Sequence, residues 1–309
     1  MTARSLWLRI RPRSVSRIRS FSVLRRSRCF CSVFIFAFAT GAFAGAWTKA
    51  PGQGYAKLGS STFVADHAFD AAGTRKSSDP FRLYGQTLYL YNETGLFDGG
   101  MLTLLLPYVV SRNQHAGGLG FLQASFGDAQ IGTQLRAFQW QDWVGSFRIE
   151  AKIPLYSGGP SVEGRQSRLN PTYPRNSLYF PAIGDGQTDI TTWLSLSGSL
   201  PAIDGFVNAE GAYRMRFGGI SDAALVFLQG GVFLLNRRLL LMPNMNAVLT
   251  LPADADEMVG KGYWTFGMSA MFFLTSAWAL EFGADYLTFG VNTAGGPLMQ
   301  LGVSYAYGL

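Results

Sequence analysis

The chain has 309 residues, 48% of them hydrophobic, 14% aromatic and only 15% charged, with 37 glycines. Soluble domains carry about 25% charged residues, so this composition cannot wet an ordinary globular surface, and its aromatic content excludes a disordered chain. The formal charge of +7 would point to nucleic acid if it were spread along the sequence, but it is concentrated at one end.

Before residue 45 lie Arg4, Arg9, Arg11, Arg13, Arg17, Arg19, Arg25, Arg26 and Arg28, with no lysine and no acid. Without those nine, 17 basic residues face 19 acidic ones, a net charge of −2, and no nucleic-acid partner is expected. The 19 residues from Cys29 to Trp47 carry no charge, and small residues lead to Ala42-Phe43-Ala44. A basic stretch, a short apolar core and an A-x-A site make a secretory signal peptide. An uncleaved anchor is the alternative, since 19 residues could just span a bilayer. We read 1–44 as a cleaved signal peptide and 45–309 as the exported unit. Cys29 and Cys31 both fall in the leader, so the exported unit has no disulfide, thiolate metal site or cysteine nucleophile.

Beyond the leader no apolar run is long enough for a transmembrane helix. Apolar and polar residues alternate instead, which is strand periodicity. Twelve segments show it, near 54–64, 82–95, 100–111, 127–140, 143–156, 188–200, 205–217, 223–235, 238–251, 262–274, 277–290 and 297–309. Each is long enough for the ~9–11 residues that a tilted strand uses to cross a bilayer. Tight turns at residues 95–99, 141–142, 201–204, 236–237 and 275–276 alternate with longer connections, the longest from Ser157 to Gln187 and another Gly-rich one from Arg112 to Phe126. Short periplasmic turns and longer external loops are the pattern of an outer-membrane barrel, and an even strand count puts both termini on the periplasmic side.

Tyr84, Tyr89, Tyr91, Tyr108, Trp140, Trp143, Trp264, Trp278, Tyr286 and Tyr305 crowd the strand ends, as the aromatic girdles of a lipid-facing barrel require. In lipid only a closed sheet satisfies every backbone group. The expected fold is therefore all-β, a single closed antiparallel transmembrane barrel of about twelve strands; the alternative is a secreted β-sandwich. The last strand alternates to the chain end, with Leu301, Val303, Tyr305, Tyr307 and Leu309 on one face. It resembles the terminal strand that outer-membrane proteins present to the barrel-assembly machinery, although such proteins usually end in an aromatic residue.

Residues 45–309 resemble bacterial outer-membrane transporters of the MetA-pathway phenol-degradation type. The residues carrying the likeness are Ala46-Trp-Thr-Lys-Ala-Pro-Gly-Gln-Gly-Tyr55, Tyr91-Asn-Glu-Thr-Gly-Leu-Phe-Asp98 leading into Leu102–Tyr108, Gly127-Asp128 and Ala212-Tyr-Arg-Met-Arg216. A more distant similarity is to FadL-type channels, though this chain is expected to run straight into its first strand with no room for their N-terminal hatch. The resemblance implies passage of hydrophobic compounds.

Asp128, Gln130, Gln134, Arg136, Arg148, Glu150, Lys152, Glu210, Arg214, Arg216, Glu281 and Asp285 share the parity opposite the apolar face. They are candidate lumen-lining residues. Either they line a solute path and set its selectivity, or they pair across strands and fill a twelve-stranded interior of intermediate width. Loop 157–187, with Arg165, Arg168 and Arg175, is expected to be a mobile external loop; the alternatives are that it folds inward as a constriction or meets lipopolysaccharide phosphates. His67, with Asp66 and Asp79 in its loop, and His115 are the only starting points for a hydrolase; lone loop histidines are ordinarily solvated, and no G-x-S-x-G, H-E-x-x-H or phosphate loop is present. We expect no enzyme and no cofactor, and a passive outer-membrane channel or transporter for small solutes. The other readings are a non-conducting structural or surface-binding barrel and, third, an outer-membrane hydrolase.

Overall fold

The structure is a computed structural model that describes residues 45–77, 82–114, 120–156, 181, 183–252 and 260–308. The leader, Asp79, His115, Arg165, Arg168 and Arg175 lie outside the described residues. In chain order the strands are β1 (Gly54–Ala65), β2 (His67–Phe69), β3 (Arg75–Ser77), β4 (Arg82–Phe97), β5 (Gly100–Gln114), β6 (Gly120–Phe126), β7 (Asp128–Trp140), β8 (Trp143–Pro154), β9 (Thr188–Leu200), β10 (Gly205–Phe217), β11 (Ala223–Leu234), β12 (Leu239–Thr250), β13 (Gly262–Phe273), β14 (Trp278–Val291), β15 (Thr293–Gly295) and β16 (Pro297–Tyr307).

All but three short strands form one sheet in the order β4-β1-β16-β14-β13-β12-β11-β10-β9-β8-β7-β5-β6, and a further pairing of β4 with β5 closes it. Every neighbouring pair is antiparallel, and the first and last strands meet from Gly54 opposite Tyr307 to Phe63 opposite Leu298. β6 and β7 are two halves of one crossing, since both pair with β5. The ladder breaks at Gly127, beside Pro107 of β5. Proline has no N–H to give a ladder, and Gly127 instead donates its own N–H to the Pro107 carbonyl at 2.9 Å. The barrel therefore has twelve crossings. The expected Gly-rich loop 112–126 is shorter than the sequence reading placed it: 120–126 continues the crossing as β6, its alternation hidden by the adjacent glycines.

Side chains of a strand alternate between its two faces, and the two faces of this sheet are inverted relative to a soluble protein. The exposed face is apolar: Leu194 is 66% exposed, Leu301 57%, and Leu58, Ile131, Ile149, Phe266 and Phe282 point the same way. The buried face holds Lys57, Glu93, Arg148, Lys152, Asp189, Glu210 and Glu281, each 8% exposed or less. Water would penalise such a surface heavily, whereas a bilayer solvates it. Aromatic pairs, Trp278 with Tyr305 at the strand ends (ring centroids 4.6 Å) and Tyr108 with Phe126 within their crossings (5.5 Å), sit on this exposed face. Two of the expected girdle residues do not. Tyr89 and Tyr91 are 1% and 8% exposed and point into the lumen, because their parity in β4 is that of Glu93 and Thr87, not of Leu88 and Leu90.

The barrel ends differ. At the end carrying residues 45–54 and the β16 terminus, connections are tight: Gly99 (φ 77) between β4 and β5, Gln141 (φ 52) between β7 and β8, and Asn236 (φ 54) with Arg237 (φ 63) between β11 and β12. Left-handed turn residues match the twist of a hairpin. At the opposite end β2, β3 and β15 form a small separate sheet in the order β15-β2-β3, a cap over one side of the mouth.

Candidate functional site

Among the described residues, the acidic and basic side chains that the barrel strands bury face the lumen. Nearest the tight-turn end the lumen also holds a piece of chain that the sequence reading placed elsewhere. Residues 45–53 do not run straight into β1; they form a strap inside the barrel. Ala46 N–H donates to Ser197 Oγ at 2.7 Å, and Gln134 Nε2 donates to the carbonyl of Gly45 at 2.7 Å. Two backbone bonds tie Gly95 to the strap, Gly52 N–H to Gly95 O (3.0 Å) and Gly95 N–H to Gln53 O (2.9 Å). Lys49 Nζ lies 3.5 Å from Glu93 Oε2, and the Trp47 ring meets Phe206 edge-on at 5.7 Å. Glycines make the seat: a Cβ on Gly95 would collide with the Ala50 carbonyl, and one on Gly45 would stand 2.9 Å from Ser197 Oγ.

Around the strap two charge networks line the wall. In the first, Lys57 Nζ lies 2.5 Å from Glu281 Oε2, and Tyr55 donates its hydroxyl to the other oxygen of Glu281. Tyr91 donates to Glu93 at 2.7 Å. In the second, Glu210 accepts from Arg148 (3.3 Å), Ser195 (3.2 Å) and Asn208 (2.8 Å). The Arg148 guanidinium lies over the Trp193 ring at 4.8 Å, a cation–π arrangement. An apolar cluster of Leu240, Met242, Met271 and Ala279, with Phe206, Phe233 and Phe273 packed on it, covers the remaining wall toward the tight turns.

Toward the capped end a single cation collects carboxylates. Lys152 Nζ is 2.5 Å from Asp185, 2.8 Å from Asp189 and 3.8 Å from Asp128. Tyr156 donates to Asp128 at 3.0 Å and accepts the Gly186 N–H at 2.7 Å, which ties the segment before β9 to the wall. Beside it, Arg214 and Arg216 face inward from β10. Their hydrogen-bond acceptors are uncharged: Arg214 Nε donates to Thr191 Oγ1 (3.3 Å) and Arg216 Nη1 to the Ser221 carbonyl (3.4 Å).

All twelve candidate lining residues stand on the lumen parity of their strands. Gln134, Arg148, Lys152, Glu210, Glu281 and Asp285 are buried there, and Asp285 accepts from Gln300 at 2.8 Å. Asp128, Gln130, Glu150, Arg214 and Arg216 are half-buried. Arg136 is at the tight-turn rim, half-exposed and paired with Asp98 at 2.7 Å. The sequence reading missed Lys57, Glu93 and Asp189, which are as deeply buried as the rest. Lys57 and Glu93 sit at lumen parity between Tyr55 and Tyr91, where aromatic neighbours concealed the polar face. His67 is not solvated as expected: it is 2% exposed in β2, holds Asp66 on its Nδ1 and packs on Phe69 at 4.9 Å. A Cβ on Gly295 would strike its Nε2, so the imidazole has no open side for a substrate.

Twelve closed crossings, a lipid-facing apolar belt and an ionised lumen define a transmembrane β-barrel of the bacterial outer-membrane kind. No family model matches the sequence, and no curated protein does. Among solved structures, the fold is similar to the COG4313 outer membrane channel from Pseudomonas putida F1, with a TM-score of 0.61 and 14% identity over 85% of this chain and 98% of that one. Lesser likenesses are to the NanC porin (TM-score 0.46, 10% identity, 81% and 98% covered) and to the translocator domain of autotransporter NalP from Neisseria meningitidis (0.45, 10%, 83% and 89%). At these identities the likeness is one of fold.

Proposed function

We propose that the barrel is an outer-membrane channel for the passive passage of small solutes, hydrophobic compounds among them. The observation that carries this reading is the strap. A lumen filled by its own strand side chains has no room for more, whereas this one accommodates nine residues of additional backbone, 45–53, held by hydrogen bonds, an ion pair and an edge-on ring contact. Withdrawing an extended peptide leaves a passage about as wide as that peptide. In this reading the structure is the closed state, and Lys57, Glu93, Arg148, Glu210 and Glu281 become the wall of the open one, whose charges set selectivity. Export by a cleaved leader, assembly through β16 and contact of the external loops with lipopolysaccharide belong to the same proposal.

Planar-bilayer recording tests it. The intact barrel is expected to conduct weakly or in rare openings, and a form lacking residues 45–52 to conduct at least several-fold more. A folded barrel that stays silent in both forms would establish the competing reading, a non-conducting structural barrel. The dense ion pairing of the lumen favours that competitor, so the strap deletion is the decisive comparison.

A further inference from the structure

One band of the lumen wall is apolar across five neighbouring strands. Trp193 of β9 pairs with Ala212 of β10, Ala212 with Leu225 of β11, Leu225 with Val248 of β12, and Val248 with Tyr263 of β13. All five face inward, and they pack as one cluster into which Phe69 of the cap inserts its ring. The next inward position up β10 from Ala212 is Arg214, and the one after that is Arg216. These half-buried guanidiniums differ from the fully buried cations of the barrel. Lys57, Arg148 and Lys152 each have a carboxylate, but among the described residues no carboxylate lies in ion-pair range of Arg214 or Arg216, and Arg216 Nε is buried without a hydrogen-bond partner. Asp189, directly opposite Arg216 in register, is turned to Lys152 instead. Asp222 accepts from the Arg216 backbone N–H, not from its guanidinium.

Two adjacent arginines that keep guanidinium N–H groups beyond those given to Thr191 and Ser221 are a receptor for a planar oxyanion, which they bind in parallel hydrogen bonds. A half-buried guanidinium on which Asp185 and Asp189 act only from beyond ion-pair distance is incompletely compensated, and a ligand carboxylate seated on it relieves that cost. The row directly below is apolar apart from the buried Trp193 indole N–H, which has no hydrogen-bond partner, and the Tyr263 hydroxyl. We propose that this half of the lumen binds small amphiphilic carboxylates, the carboxylate on Arg214 and Arg216 and an aromatic or aliphatic body on the row from Trp193 to Tyr263. Phe69 shows that an aromatic ring fits against this cluster. The proposal rests on the reading of the barrel as a solute path and names the class of solute.

Binding is measured by calorimetry on the barrel in lipid nanodiscs, with benzoate, benzyl alcohol and acetate as probes. Benzoate is expected to bind about tenfold or more tightly than either of the others, a gap of ~1.4 kcal/mol, and to weaken as salt rises, which benzyl alcohol does not. R214Q/R216Q is expected to reduce benzoate to the level of benzyl alcohol, and R214K/R216K to restore part of the difference. Phe69→Ala is expected to strengthen benzoate binding by removing a competing ring. Equal affinity for benzoate and benzyl alcohol in the unmodified barrel, or benzoate affinity unmoved by R214Q/R216Q in a barrel that keeps its heat-modifiable gel mobility, would overturn the proposal. Because binding needs no conduction, a silent barrel that binds benzoate overturns the channel reading alone, and a conducting barrel that does not bind it overturns this one alone.

Discussion

Lys57 of β1 reaches Glu281 of β14 across the whole width of β16, Nζ to Oε2 2.5 Å apart, with side-chain exposures of 3% and 6%. The intervening position on the lumen side of β16 is Gly302, where a Cβ would stand 2.8 Å from Lys57 Cε. The pair therefore staples the seam where the first and last crossings meet. Removing one partner of a buried pair strands the other's charge, at a cost of about 3–5 kcal/mol. Glu281→Gln is expected to destabilise the folded barrel by that order, seen as a lower midpoint in urea titration of the detergent-solubilised protein. Gly302→Val should act in the same direction by displacing the lysine stem. A Glu281→Gln barrel of unchanged midpoint would show that the seam is held by backbone pairing alone.

The strap depends on one glycine. Gly95 exchanges backbone bonds with Gly52 and Gln53 and leaves no space for a Cβ beside Ala50. Gly95→Val is expected to unseat residues 45–53 while leaving the twelve crossings paired, raising single-channel conductance several-fold with an unchanged thermal midpoint. Conductance equal to that of the unmodified barrel would locate the constriction elsewhere.

Lys152 keeps Asp128, Asp185 and Asp189 from repelling one another. In Lys152→Met these three carboxylates face each other with no shared cation. Release of the segment 183–187 from the wall is expected, with a destabilisation of about 3–5 kcal/mol and a shift of the reversal potential in a KCl gradient toward cation selectivity. Protection of that segment from proteolysis, unchanged by the substitution, would argue against the lysine's holding role.

The cap responds to acid. Asp70, between β2 and β3, is held below the usual carboxylate range first by its hydrogen bond to Lys76 and then by the Thr74 and Ala72 N–H groups. A depressed pKa in the folded state contributes stability above the unfolded value, ~3.9, and that contribution disappears as pH falls through the folded value. The β2–β3 turn is expected to be closed at pH 7 and to loosen below about pH 4. Amide exchange at Ala72 and Thr74 that does not rise on acidification would contradict this.

The lipid belt predicts a depth-dependent cost. Leu194 is the central residue of β9 and points outward. Leu194→Arg is expected to cost about 2–4 kcal/mol in bilayer refolding, falling toward zero for an arginine placed near the strand ends. A cost that did not vary with depth would mean that this face does not meet hydrocarbon.

Strand positions, strand count and the facing of most residues were readable from the sequence, because a side-chain period of two is a local property that lipid on one side and polar groups on the other impose on every crossing. Segments 188–200 and 205–217 were read with the bounds that β9 and β10 have. Where the reading slipped, a local signal was ambiguous. Tyr89 and Tyr91 are amphipathic and fit either an interface or a polar lumen, and glycines before residue 121 interrupted the pattern of β6.

What the sequence could not determine is which lumen residues meet. Parity puts Arg148, Glu210, Arg214 and Arg216 on one face, but partner choice depends on register and tilt across several strands. Only the closed barrel shows that Arg148 has Glu210, that Lys152 takes three carboxylates, and that Arg214 and Arg216 have none among the described residues. The strap was invisible for a related reason. Ala46-Trp-Thr-Lys-Ala-Pro-Gly-Gln carries no periodicity of its own, and its place inside the lumen follows from bonds to Ser197 and Gln134, 151 and 89 positions away in the chain. Local periodicity set the wall of this barrel, whereas contacts between distant strands decided what the wall encloses.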